Sequence, residues 1–425
     1  LEIPGITGKI NNRKKDHYKV KMSITGNILV LTQWSFKDAL VQTYTLPYVE
    51  IIRNIVPPER KIIVVTAEQQ PISLTGQEKQ SVRDAWQKKN MQWVPQPYKK
   101  FGIRKLAAAI DQLFSLYRTI KKEKISVIHA FCTPAGSLGY ILSVLTGARL
   151  IVDSYEPHAE AMVENGTWKK NGLAYRILFA LERKQTRRAV ALIATTEGMR
   201  EYALERYGVA VKIFFVKPAC VDLEKFYPGD KDAELLKELN LSGKIVCVYA
   251  GKLGGIYFRE EVFDFIKICY DHWKEEFRFL MLTNAPKEET EAGIRRVGLP
   301  EHIVISRFVF HNEVPRYLSL GDFAINPVKP VPTKRYCTSI KDGEYWAMGL
   351  PVIISPDISE DSGIIEKENT GVVMNFKIKQ EANEIPERIN ILLKEGTTIR
   401  NKIRSLAEKY RSFSLAEKIY NSVYS

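Results

Sequence analysis

"SIKDGEYWAMGLPVI", residues 339–353, holds two opposite charges, Lys341 and Glu344, one turn apart and follows them with a Gly-Leu-Pro stop and an apolar run. Ser339 is a suitable N-cap, residues 341–348 carry helix formers, Gly349 suits a left-handed residue past a helix end, and Pro351 blocks continuation. The stretch therefore predicts a short helix running into a strand. The first turn of such a helix exposes unpaired N–H groups and the positive end of the dipole, where phosphate binds. Glu344 would repel that phosphate, yet a carboxylate there can accept two hydrogen bonds from a vicinal diol. Diphosphate beside diol describes a nucleotide sugar. A solvated glutamate favoured by the helix dipole is the alternative these residues leave open, and Lys341 reads equally as a phosphate contact or a solvated first-turn residue.

Working outward, β-branched runs recur at 28–32, 61–66, 127–131, 150–154, 191–196 and 212–216, then at 244–249, 278–283, 303–308, 323–326, 352–355 and 371–374. Amphipathic segments separate them. Continuous apolar strands alternating with helices imply parallel sheets covered on both faces, so the fold class is α/β with two doubly wound, Rossmann-like halves. Their join is "KPACVDLEKFYPGD", residues 217–230, which shows no core pattern. Two such halves facing each other leave a central cleft at the carboxyl ends of their strands. The expected organisation is a flexible basic leader or tag at 1–21, an acceptor-side domain at 22–220, a nucleotide-sugar domain at 221–405, and C-terminal helices at 406–425 that cross back. Ser414 and Glu417 have capping-box spacing for the last helix.

With 425 residues, 45% hydrophobic and 26% charged, the chain has the composition of a soluble globular protein. The apolar stretch at residues 134–148 is too short and too glycine-interrupted to span a bilayer, and no signal-like segment opens the chain, so a cytoplasmic site of action is expected. The five cysteines lack CxxC spacing and read as reduced packing residues. The six histidines form no close pair, "GDKDAE" at 229–234 reads as a solvated charge run, and no metal site is expected. Serine-nucleophile and Walker-type motifs are absent.

In its second half the chain resembles the retaining GT-B glycosyltransferases of family 4, the group 1 enzymes of bacterial surface polysaccharide and glycolipid synthesis. The matching pieces occur in the family's order: "VYAGKLGG", "HNEVPRYLSLGDFAINP", "SIKDGEYWAMGLPVIISPDISED" and "NTGVVM". "VKPACVDLEKFYP" is similar to the interdomain segment, and "MQWVPQPYKK" and "VIHAFCTPAG" to N-terminal strand ends. The resemblance implies transfer of a sugar from a nucleotide-diphosphate sugar of UDP or GDP type to a glycan or lipid-linked acceptor, with no cofactor. It places Glu344 on the donor ribose and groups Ser339, Ile340, Lys341, Gly251, Gly254, Asn312 and Glu313 around the donor. Lys252 and Arg259 fall where cations stabilise the leaving diphosphate, interchanged in type relative to the family. The family's second glutamate, eight residues before the ribose glutamate, is Tyr336 here, so the resemblance assigns neither that sugar-hydroxyl contact nor the identity of the sugar. On the acceptor side Glu156 and His158 are the candidates for orienting the reacting hydroxyl, while His129 reads as structural. The alternatives are a GT-B sugar-nucleotide epimerase and a non-catalytic nucleotide-sugar-binding scaffold.

Charge is unevenly spread. Residues 22–220 hold 28 basic and 16 acidic side chains, whereas 221–425 hold 29 and 31. No nucleic-acid module accompanies the excess. In "WVPQPYKKFGIRK", Trp93, Tyr98 and Phe101 interleave with Lys99, Lys100, Arg104 and Lys105, which suggests a peripheral contact with an anionic membrane surface on the inner face of the cell membrane.

Overall fold

Apolar runs without polar alternation are satisfied only by burial on both faces, and the chain achieves this twice. In the computed structural model, which describes residues 25–69, 73–98 and 106–424, two separate parallel sheets are each flanked by helices. The first contains β1 (Asn27–Leu31), β2 (Ile62–Glu68), β3 (Met91–Pro97), β4 (Ile125–Phe131), β5 (Arg149–Tyr155), β6 (Ala191–Ala194) and β7 (Phe214–Val216), in the order β3-β2-β1-β4-β5-β6-β7. The second contains β8 (Ile245–Ala250), β9 (Phe277–Leu282), β10 (Val304–Arg307), β11 (Phe323–Asn326), β12 (Val352–Ile354) and β13 (Gly371–Val373), in the order β10-β9-β8-β11-β12-β13. Each sheet changes winding direction beside its first strand, between β1 and β4 and between β8 and β11. Doubly wound sheets open a crevice at that point.

Helix Ile340–Ala347 and β12 realise the "SIKDGEYWAMGLPVI" pattern, with Gly349 left-handed at φ 69°. Ser339 stands at the N-cap but its side chain makes no capping bond. β3 lies outside the β-branched runs because its sequence, MQWVPQP, carries two prolines. It is an edge strand, where a missing N–H is tolerated.

Several expectations are corrected. Trp93 is not a membrane anchor: it is 3% exposed, its Nε1 donates to Thr66 Oγ1 at 2.8 Å, and its ring sits 5.0 Å from Phe36. Alternation along β3 turns this side chain into the core. Lys99, Lys100, Phe101, Arg104 and Lys105 lie outside the described residues, as do residues 1–21. The join is packed rather than bare, with Ala219, Cys220, Val221 and Phe226 buried and Cys220 N donating to Tyr48 Oη at 2.9 Å. In the "GDKDAE" run, Asp232 caps helix Ala233–Glu238 through Leu235 N and pairs with Arg316, and Lys231 pairs with Asp322.

At the C-terminus, helix Thr397–Arg411 packs Ile399, Ile403 and Leu406 into the second core. Val221 N donates to Arg411 O at 2.8 Å where the chain turns back. Helix Phe413–Tyr424 then lays Ile419, Tyr420 and Val423 onto the core of the first sheet. Burial of each such side chain contributes roughly 1.5 to 3 kcal/mol, so this helix clasps the two halves together. Ser412, whose Oγ accepts from Ser414 N at 3.2 Å, sets its start in place of the expected Ser414 cap. Among the described residues no helix is long and apolar enough to cross a membrane.

Candidate active site

The carboxyl ends of the two sheets face each other across a cavity of about 420 Å³. From the first half, Phe131 and Cys132 arrive at the end of β4, Ser154 at the end of β5 and Glu156 just after it, and Thr195 after β6, with Trp34, Leu40 and Tyr44 from the segment following β1. The second half contributes Ile256 and Tyr257 after β8, Val328 after β11, and Lys334 and the 337–341 segment that opens helix Ile340–Ala347. Parallel strands place all these side chains at one edge because each strand ends where its loop begins.

Of the expected donor residues, Ser339, Ile340 and Lys341 line the cavity. Lys341 Nζ lies 2.7 Å from Tyr257 Oη, which holds the ammonium against the loop following β8. Gly251 makes this approach possible: a Cβ there would lie 2.5 Å from Lys341 Cε and 2.9 Å from Tyr249 Oη. One turn further along the helix, Glu344 is 6% exposed, and its Oε1 is 2.9 Å from His311 Nε2. Asn312 and Glu313 flank that histidine, with Asn312 Nδ2 and Glu313 Oε1 at 3.4 Å. Neither of them reaches the cavity wall.

Lys252 and Arg259 sit on the loop that turns through Gly254 and Gly255, both at positive φ. Lys252 is exposed and has no carboxylate partner among the described residues, whereas Arg259 is paired with Glu289 at 2.8 Å. Neither lines the cavity. Tyr336 is turned away: its ring packs 5.1 Å from Tyr202, and its carbonyl accepts from Thr195 Oγ1 at 3.1 Å. The residue in the position of the second family glutamate thus joins the two halves.

From the first half Glu156, one of the two residues expected to orient the acceptor, lines the cavity, and His158 Nδ1 lies 3.1 Å from Glu156 Oε1. Burial opposes ionisation of Glu156, but the hydrogen bond and charge of His158 and the charge of Lys334 outweigh it and lower the pKa. The same contact raises His158 against its own desolvation. Lys334 therefore projects positive potential from the second half toward Glu156. Below this wall, Asp153 is fully buried and is held down to about 2, because Lys217 and hydrogen bonds from His129 and Tyr420 overcome desolvation. His129 bridges Asp153 and Tyr424 at 3.2 and 2.6 Å, a structural role. Asp153 Oδ1 accepts from Ser154 N at 2.6 Å, and Ser154 Oγ donates to Tyr44 Oη at 2.9 Å. Ser154 (φ 53°) and Cys132 (φ 72°), both lining the cavity, are non-glycine residues at positive φ, a locally strained conformation.

Sequence reasoning missed Lys334, Thr195, Tyr257 and His311. His311 had a usable signal, as the first residue of "HNEVP". The other three are recruited by tertiary contact and carry no local mark. The five cysteines are free, and burial together with Glu156 pushes the Cys337 thiol up to about 12. Among the described residues no group of three or more His, Cys, Asp or Glu side chains is assembled for a metal ion.

Comparisons with known proteins converge on this architecture. A glycosyl transferase 4-like domain matches residues 62–219, and the glycosyl transferases group 1 domain matches residues 244–395. Over 303 residues, 67% of this chain and 70% of the relative, the sequence is 32% identical to the UDP-Gal:alpha-D-GlcNAc-diphosphoundecaprenol alpha-1,3-galactosyltransferase of Escherichia coli. It is 21% identical over 268 residues to the alpha-D-kanosaminyltransferase of Streptomyces kanamyceticus, covering 60% of this chain and 66% of that protein. Among solved structures, Anabaena Alr3699/HepE in complex with UDP superposes with a TM-score of 0.68 at 14% identity, covering 92% of this chain and 98% of that one. WaaG, a glycosyltransferase involved in lipopolysaccharide biosynthesis, gives 0.68 at 13% identity over the same shares. With its two-sheet GT-B fold and a cavity between facing carboxyl edges, the chain belongs to the group 1 glycosyltransferases of family 4.

Proposed function

We propose that this glycosyltransferase moves a sugar from a nucleotide-diphosphate sugar to a glycan or lipid-linked glycan acceptor, with retention at the anomeric carbon, in surface polysaccharide or glycolipid synthesis. One observation carries the reading. A single helix presents Lys341 to the cavity in its first turn and Glu344, nearly buried against His311, three residues on, a helical spacing that puts their Cβ atoms about 5 to 6 Å apart. UDP is the favoured nucleotide, since the Escherichia coli relative is named for UDP-Gal and the Anabaena structure holds UDP. The same relative's diphosphoundecaprenol substrate supports a lipid-linked acceptor.

In the proposed step the bond from the sugar anomeric carbon to the diphosphate breaks and the acceptor oxygen bonds to that carbon from the same face. The acceptor proton passes to the departing diphosphate. Lys341 and Lys252 neutralise the growing charge, with Arg259 drawn in from its exposed pair with Glu289. Glu156, oriented by His158, fixes the acceptor hydroxyl. The test is Glu344→Gln. Loss of a charge-assisted hydrogen bond to the ribose costs on the order of 1.5 to 3 kcal/mol, so UDP should bind roughly 10- to 100-fold more weakly by calorimetry with the fold intact. An unchanged dissociation constant removes the ribose assignment.

A further inference from the structure

Six of the fourteen large apolar side chains exposed among the described residues fall on three neighbouring helices of the first half, Leu106–Lys122, Thr133–Thr146 and Leu173–Arg188. The three cover one face of the first sheet, since Leu116, Leu142 and Phe179 all pack at the same core. Their outer surfaces combine apolar and cationic groups in a regular way. On the first helix, Ile110, Phe114 and Arg118 follow each other at four-residue spacing, Phe114 is 52% exposed, and the Arg118 guanidinium lies over its ring at 4.2 Å. The middle helix carries no charged residue and exposes Val144 and Leu145. On the third, Leu173, at 76% exposure, and Ile177 share a stripe with Arg176, Arg183, Lys184 and Arg187. The only acid of that helix, Glu182, is buried on Ala159 N and Tyr207 Oη. None of those four cations has a carboxylate partner among the described residues, and neither do Arg118, Lys121 and Lys122.

We propose that this three-helix face docks on an anionic lipid bilayer. An acidic leaflet satisfies the cations, and its headgroup boundary accepts Phe114, Leu173 and Ile177. A nucleic acid would satisfy the cations alone and leave those apolar groups in water. Helices of a parallel sheet start at the carboxyl edge of the strands they follow. The apolar residues near the starts of the first and third helices therefore lie toward the edge where the cavity opens. The inference rests on this face and not on the identity of donor or acceptor, and it moves the membrane contact to side chains that the sequence did not single out.

The experiment is co-sedimentation with phosphatidylethanolamine vesicles, with and without phosphatidylglycerol, at low and high salt. The expected result is binding that requires phosphatidylglycerol and falls with salt. The triple change Arg183→Gln, Lys184→Gln and Arg187→Gln should weaken it about 100-fold, at roughly five-fold per cation. Leu173→Ser with Ile177→Ser should remove the binding that survives high salt. Equal binding to both vesicle types, absence of binding, or wild-type binding by the triple variant overturns the proposal. So does loss of binding only when Lys99, Lys100, Arg104 and Lys105 are neutralised. Binding to duplex DNA or RNA without binding to vesicles assigns the face to nucleic acid instead.

Discussion

Lys252 stands exposed on the loop after β8, with a free ammonium among the described residues, while Lys341 is fixed at the cavity wall by Tyr257. If Lys252 meets the diphosphate only as charge accumulates on it, Lys252→Ala should lower kcat more than it raises KM. Unchanged kcat in steady-state assays would leave Lys252 as a surface cation. Glu182 makes a different claim. It is fully buried, and desolvation pushes its carboxyl up to about 7 despite hydrogen bonds from Ala159 N and Tyr207 Oη. A folded-state pKa raised above the ordinary value contributes stability that is complete below about 4.5 and is lost as pH rises through about 7. Unfolding free energy should therefore fall by on the order of 3 kcal/mol across that window, and Glu182→Gln should abolish this part of the slope. Denaturant melts at about pH 5 and about pH 8 check it; equal slopes for wild type and variant would contradict it.

Helix Ile340–Ala347 shows how a motif can be legible while its surroundings are not. Its length, its glycine stop and the strand after it follow from local chemistry, and so does the one-turn spacing of Lys341 and Glu344. What the sequence conceals is that Asp342 and Gly343 are packing residues. Asn326 Nδ2 donates to both Asp342 oxygens at 2.8 and 2.9 Å, and burial beside Asp361 raises that carboxyl well above its usual range. A Cβ on Gly343 would lie 2.9 Å from Val221 Cγ1 and 3.2 Å from Arg411 Cγ, at the point where the chain passes between halves. Gly343→Ala should thus destabilise by about 1 to 3 kcal/mol through overpacking, seen as a lower Tm, with UDP affinity nearly unchanged below the melt. A Tm equal to wild type would show that the crossing yields freely. Strand β3 marks the opposite failure: its prolines keep it out of the β-branched pattern, so only the resemblance points to a strand end there, and Trp93, read together with the cations that follow it, suggests a membrane surface although strand alternation buries it.

At the scale of the molecule, the two sheets and the cleft between them were legible because β-branched runs alternate with helices through both halves. The cavity itself was not, because its cross-domain partners carry no local pattern. Lys334 faces Glu156 from the opposite half, Tyr336 packs on Tyr202, and Glu164 accepts from Thr333 N at 3.2 Å. These contacts make the walls contributed by the two halves one surface, and the returning helix Phe413–Tyr424 holds them in register. The arrangement is that of a transferase acting between two substrates. The measurement that tests it most directly is release of UDP from a UDP-sugar, followed with and without a lipid-linked glycan acceptor. The account predicts that release requires the acceptor and falls sharply in Glu344→Gln at subsaturating donor. Tight UDP-sugar binding with no acceptor-dependent release, or interconversion of the UDP-sugar without transfer, would contradict it.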